Sequence, residues 1–143
     1  MSRRVEAYID GASRGNPGEA SYGVVLKEGD TLTLMGGYLG TMTNNEAEYH
    51  GLLAALNWAL EHSVSEMKVF SDSQLVVNQI NGRFRVKAPN LQPLFLEALD
   101  KKRKIERFNI FYIAREYNKR ADALANQALD GKGTVHRVEH VGR

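Results

Sequence analysis

Apolar and polar residues alternate through VEAYID (5–10), the period of two that a half-buried strand requires. A Gly/Asn/Pro cluster from Ser13 to Gly18 then marks a turn. ASYGVVLKEGDTLTLMGGYLG (20–40) reads as two further strands about a Glu28-Gly29-Asp30 hairpin turn. At Thr43 or Asn44, either of which can cap a helix, the period changes to that of a helix reaching about His62. MKVFS (67–71) is a short strand, and Ser73 to Asn81 a short helix stopped by Gly82. Pro89 and Pro93 bracket the start of a helix running to about Lys104. FNIFYIA (108–114) is a strand, and Asn118 to Asp130 a last helix ended by Gly131. The predicted order, βββαβααβα with a tail, is that of an α/β domain with a mixed sheet and helices on its faces.

Face counting within TNNEAEYHGLLAALNWAL (43–60) singles out one acid. Glu48 continues the stripe Leu52, Leu56, Ala59 and Leu60, whereas Glu46 shares the other face with His50, Asn57 and Glu61. Glu46 therefore carries an ordinary helix-start charge, favoured there by the macrodipole. Glu48 points toward the sheet. An unpaired carboxylate there costs several kcal/mol, so it needs a cation, a hydrogen-bond network, a proton or a basic partner.

Composition sets limits. A chain of 143 residues is one ordinary domain, and 43% hydrophobic with 25% charged residues is an average globular balance. With no cysteine, disulfides and thiolate metal sites are excluded. No apolar run approaches a membrane span, and MSRRVEAYID lacks the apolar core of a signal peptide, so a cytoplasmic protein is expected. A net charge of +2 does not by itself imply nucleic acid, but residues 82–107 hold eight basic against three acidic side chains. That segment suits a polyanion partner or is a solvated helix face.

Other acids meet the need of Glu48. Asp10 is predicted to end the first strand and Asp72 the fourth, and sites collect at the carboxyl ends of strands in open sheets. Each also reads as a turn residue or a cap. Asp122 shares a stripe with Ala125 and Leu129 and is expected to look inward. Without cysteine or an HxH or HExxH pattern, an all-oxygen set suits Mg²⁺ or Mn²⁺ rather than zinc.

YIDGASRGNPGEASYGVVL, TNNEAEYHGLLAAL, FSDSQLVVNQING and REYNKRADALANQAL, in this order, resemble type 1 ribonuclease H over about residues 5 to 130. The resemblance implies the ribonuclease H-like fold, with a five-stranded mixed sheet in order 3-2-1-4-5 flanked by helices. It implies a domain over residues 1–131, with 132–143 a tail that could be a sixth strand, a lid or a disordered end. It implies an endoribonuclease that cuts the RNA strand of RNA/DNA hybrids by two-metal hydrolysis, leaving 5′-phosphate and 3′-hydroxyl ends. Mg²⁺ is the implied ion, with Mn²⁺ able to substitute, held by Asp10, Glu48, Asp72 and Asp122. A monomer with no membrane and no obligate protein partner is expected. The alternatives are an endonuclease that also cleaves double-stranded RNA and a non-catalytic hybrid-binding module.

By motif match, Ser13, Asn16, Asn44, Asn45 and Gln74 would contact base edges or 2′-hydroxyls, and Thr43 a phosphate of the DNA strand. Three departures from the family pattern stand out. The loop Ala114 to Asn118 has no histidine and carries Arg115, the position at which a related branch also has arginine. The basic, Trp-containing protrusion of some members is missing: Arg83 to Asn90 fills the gap, and the sole tryptophan is Trp58. No separate N-terminal hybrid-binding domain is expected. Backbone contacts therefore fall to Arg83, Arg85, Lys87 and the Lys101–Lys104 cluster, and His136 and His140 in the tail have no counterpart.

Overall fold

The computed structural model describes residues 2–141. Three long strands come first: β1 (Arg4–Gly15), β2 (Gly18–Glu28) and β3 (Thr31–Met42). Helix α1 (Asn44–Glu61), strand β4 (Glu66–Ser71), helices α2 (Gln74–Ile80) and α3 (Gln92–Lys102), and strand β5 (Arg107–Tyr112) follow. A 3₁₀ turn at Arg115–Tyr117, helix α4 (Lys119–Gly131) and strand β6 (Thr134–His140) complete the chain. The strands form one sheet in the order β5-β4-β1-β2-β3-β6. β1, β4 and β5 are parallel, and the remaining pairs antiparallel.

Two expectations change here. The sheet has six strands, not five. Thr134–His140 pairs with Thr31–Gly37, so it covers the edge that β3 would otherwise expose. Asp10 does not end β1 either. β1 continues against β2 as far as the Gly15–Gly18 pair, because an antiparallel ladder needs only backbone and tolerates the polar, Gly-rich GASRG stretch. The parallel pairing with β4 does stop at Ile9–Ser71, so Asp10 lies just past the carboxyl end of the parallel strands.

The core fills the space between the sheet and the α1 side, with Ile9, Val24, Leu52, Leu56, Met67 and Val69 fully buried. α4 packs on the other face. Two glycines let the helices touch the sheet. A Cβ at Gly23 would lie 2.1 Å from the Ala121 carbonyl oxygen, and one at Gly11 would lie 2.3 Å from the Glu48 amide nitrogen. Gly23 sets α4 on β2; Gly11 seats the start of α1 against β1, which fixes where Glu48 enters.

Candidate active site

Each acidic side chain is placed by a different element. Thr43 caps α1, accepting from the Glu46 amide at 3.2 Å while the Glu46 carboxylate accepts from the Thr43 amide at 2.9 Å. This capping box, more specific than a macrodipole contact, explains Glu46 and holds its carboxyl below the usual range. One half-turn on, Glu48 is 4% exposed, as face counting requires. Among the described residues it has no basic partner in contact. Its Oε1 accepts from the Gly11 amide at 2.8 Å and its Oε2 from the Ser71 hydroxyl at 2.6 Å. Asp10 is 7% exposed. Asp72 follows Ser71 at the end of β4, half-buried, with Ser73 as the cap of α2.

Asp10, Glu48 and Asp72 each bring one carboxylate oxygen within 4.8 Å of the others. Burial, then the charges of Glu48, Asp72 and Asp122, push Asp10 up to about 9. Burial likewise raises Glu48 to about 7, against the opposing hydrogen bonds from Ser71 and Gly11. Carboxylates crowded this way cannot all ionise without a counter-charge. Asp122 is not one of this trio and is exposed, yet its side chain faces Asp10, whose carboxyl it raises by hydrogen bonding and by charge. The buried stripe of α4 runs through Ala121, Leu124, Ala125, Ala128 and Leu129, leaving Asp122 on its flank. From there it overhangs the same cleft, where Asn126 donates to its Oδ1 at 3.3 Å.

The cleft holds about 490 Å³ and is lined by these four acids with Ser13, Asn44, Asn45, Ser73, Arg115 and Asn126 among others. An open, all-oxygen acidic centre of this kind suits a hard divalent cation and a polyanionic substrate that the cation would bridge.

A family model described as reverse transcriptase-like matches residues 8–128. The ribonuclease HI of Halobacterium salinarum is 43% identical over 129 residues, covering 89% of this chain and 65% of that protein. The crystal structure of RNase H1 from the same archaeon superposes with a TM-score of 0.85 at 42% identity, covering 90% of this chain and 98% of the other. The chain belongs to the type 1 ribonuclease H family. LC11-RNase H1, solved in complex with an RNA/DNA hybrid, matches with a TM-score of 0.83 at 38% identity, over 90% of this chain and 98% of that one. A bifunctional protein of Mycobacterium tuberculosis is 43% identical over 130 residues, but the chain spans only 36% of its length.

Not every expected substrate residue faces the cleft. Ser13, Asn44 and Asn45 do. Ser13 donates to the Met42 carbonyl at 3.0 Å, and the Asn16 side chain accepts from the Asn44 amide at 3.0 Å, so the two sides of the cleft mouth are tied together. Thr43 and Gln74 are not among the lining residues. Arg115 lines the rim and lowers Glu48 through its charge. His136 and His140 lie on β6, away from the cleft. Sequence reading missed Ser71 and the inward side chain of Asn118. A serine in the apolar run of β4 was the available signal for the first.

The Lys101–Lys104 cluster is at the wrong end of the molecule for the carboxylates. It closes α3 just before Arg107, which pairs with Glu66 at the start of β4, whereas Asp72 lies past its finish. The six residues of β4 separate these ends, about 20 Å. The cluster is also engaged at home: Lys101 with Asn57 at 2.5 Å and Glu97 at 3.2 Å, Lys104 with Asp100 at 3.5 Å, and Lys102 over the Phe108 ring. Among the described residues no helix is long and apolar enough to cross a membrane.

Proposed function

We propose that this protein cleaves the RNA strand of RNA/DNA hybrids as a Mg²⁺-dependent endonuclease, with Mn²⁺ as a substitute. The convergence of Asp10, Glu48 and Asp72 within 4.8 Å, in a cleft open to solvent, carries this reading. Family membership, and a relative solved on a hybrid, support it. Asp10, Glu48, Asp72 and the overhanging Asp122 would hold the ions. When bound, a pair of such ions supplies an activated water and neutralises the leaving oxygen, the chemistry that leaves 5′-phosphate and 3′-hydroxyl ends.

The chain's own residues do the rest. Ser13, Asn44 and Asn45 present short hydroxyl and amide groups that can read 2′-hydroxyls and base edges. Asn16 holds the Asn44 backbone in place, and Gln74 opens α2 beside the cleft end of β4. The Thr43 hydroxyl accepts from Glu46, which leaves its proton for a phosphate oxygen of the DNA strand. The Arg115 guanidinium at the rim positions a phosphate or expels product by charge. We expect Arg115→Ala to lose about tenfold in turnover under saturating hybrid, about 1.4 kcal/mol, with no new inflection between pH 6 and 9. An unchanged rate would remove Arg115 from the machinery.

Backbone contacts are assigned to Arg83, Arg85 and Lys87, exposed on the segment that follows α2. Each lost phosphate contact flattens the slope of log affinity against log salt by about 0.9 on a B-like duplex. Replacing Lys101, Lys102, Arg103 and Lys104 with Gln should leave that slope unchanged, whereas Arg83, Arg85 and Lys87 to Gln should flatten it. The opposite ranking would place the hybrid across the far end of α3. The activity itself is tested with internally labelled hybrid: fragments carrying 5′-phosphates, formed with Mg²⁺ and abolished by EDTA, are expected. Exonucleolytic ladders, or cleavage undiminished in EDTA, would refute the reading.

A further inference from the structure

Asn118 occupies the position from which an asparagine ordinarily caps a helix, and it does not cap. It is the residue before α4, with φ −123° and ψ 25°, yet its side chain makes no bond to the first-turn amides. The side chain is turned into the protein instead and is 2% exposed. Its amide nitrogen donates to the Ile9 carbonyl at 2.8 Å and reaches the Asp72 Oδ2 at 3.4 Å. Its Oδ1 is buried without a hydrogen-bond partner among the described residues. Exchanging the amide's oxygen and nitrogen would turn an acceptor onto both the carbonyl and the carboxylate, so the orientation is dictated by those two contacts.

An uncapped helix start and an orphaned buried acceptor both work against stability. They are retained together at one residue, and that residue touches the supports of three acids. Ile9 immediately precedes Asp10, Asp72 is contacted directly, and the Asn118 carbonyl accepts from the Asp122 amide at 3.2 Å. From this we infer that Asn118 is a positioning residue that fixes the spacing of the Asp10, Asp72 and Asp122 carboxylates for cation binding. The inference rests on the metal-dependent reading given above. Groups that orient carboxylate ligands without touching the ion typically matter 10–100-fold to affinity or activity.

Serine separates positioning from stability. Asn118→Ser supplies a hydroxyl that can cap the first turn but cannot reach the Ile9 carbonyl or Asp72; Asn118→Ala supplies neither the cap nor the reach. Three readouts are compared in the wild type and both variants: Mn²⁺ affinity by calorimetry on metal-free protein, kcat and KM on the hybrid, and the thermal melt. Both variants should bind Mn²⁺ roughly tenfold or more weakly. Both should need correspondingly more metal for half-maximal rate and lose kcat with little change in KM. Asn118→Ser should nonetheless melt above Asn118→Ala. Wild-type Mn²⁺ affinity in either folded variant would overturn the inference, as would losses of kcat that merely follow the melting temperatures. If the wild type cleaves hybrid and binds Mn²⁺ while the variants bind it equally well, only the role of Asn118 falls. If the wild type does neither, the hybrid ribonuclease reading falls and this inference with it.

Discussion

Asp10→Asn is expected to abolish hybrid cleavage while raising the melting temperature of the metal-free protein at pH 8. Burial and three neighbouring acids push Asp10 from 3.8 up to about 9 in the folded chain. An acid whose pKa rises on folding keeps its proton in the native state over a window in which the unfolded chain has already lost it. The stability it contributes is complete below about pH 4 and is lost as pH rises through about 9. Metal-free wild type should therefore weaken steadily across that window. The asparagine variant carries no such proton, and its melting temperature should change less with pH. At pH 8 we expect it to melt higher by about 3 °C or more, on the scale of about 1 kcal/mol. Divalent cation should reverse the order, because it stabilises by mass action the protein that binds it. Melts in EDTA and in Mg²⁺ from pH 5 to 9 test this. Parallel pH slopes, or full activity in the variant, would contradict the placement of Asp10 at a cation site.

Glu48→Gln should lower turnover by at least about 100-fold, about 2.7 kcal/mol, whereas Glu46→Gln should change it by less than about threefold. The two residues differ in what their oxygens do. Both Glu48 oxygens accept, one from the Gly11 amide and one from the Ser71 hydroxyl. A glutamine must turn an NH₂ toward one of those donors and removes the charge that a cation needs. Glu46 serves the capping box with Thr43, which glutamine also completes. Both variants should be compared under saturating hybrid and saturating Mg²⁺. Equal effects would show that the inward and outward faces of α1 have been confused.

The inward aim of Glu48 was legible in sequence because α1 is long and its apolar stripe continues through Leu52 and Leu56. Asp72 was legible because β4 is a short apolar run with an abrupt polar end. Asp122 was read on the correct helix, beside the buried Ala125 and Leu129, but it sits at the exposed flank of that stripe, over the cleft. Ala121 and Ala128 belong to the packed stripe, and alanine marks a helix face weakly. β1 beyond Asp10 escaped, and β6 was only one of three readings of the tail, for a common reason: each is held by antiparallel backbone pairing at places where alternation is faint or one face stays exposed. The Lys101–Lys104 cluster shows the larger gap. Its charge is plain in the sequence, but which end of the sheet receives it depends on α3 lying along α1. Asn118 carried no local sign beyond helix-cap chemistry, and the cap is the one role it does not fill.

The most direct test of the account uses three labelled duplexes of one sequence, RNA/DNA, RNA/RNA and DNA/DNA, incubated with the protein in Mg²⁺ and in EDTA. Internal cuts are expected in the RNA strand of RNA/DNA alone, in Mg²⁺ alone, and none with Asp10→Asn. Equal cleavage of RNA/RNA would contradict the assigned specificity for hybrids. Binding of the hybrid without cleavage in Mg²⁺ or Mn²⁺ would contradict the central claim that this carboxylate cluster is a working hydrolytic centre.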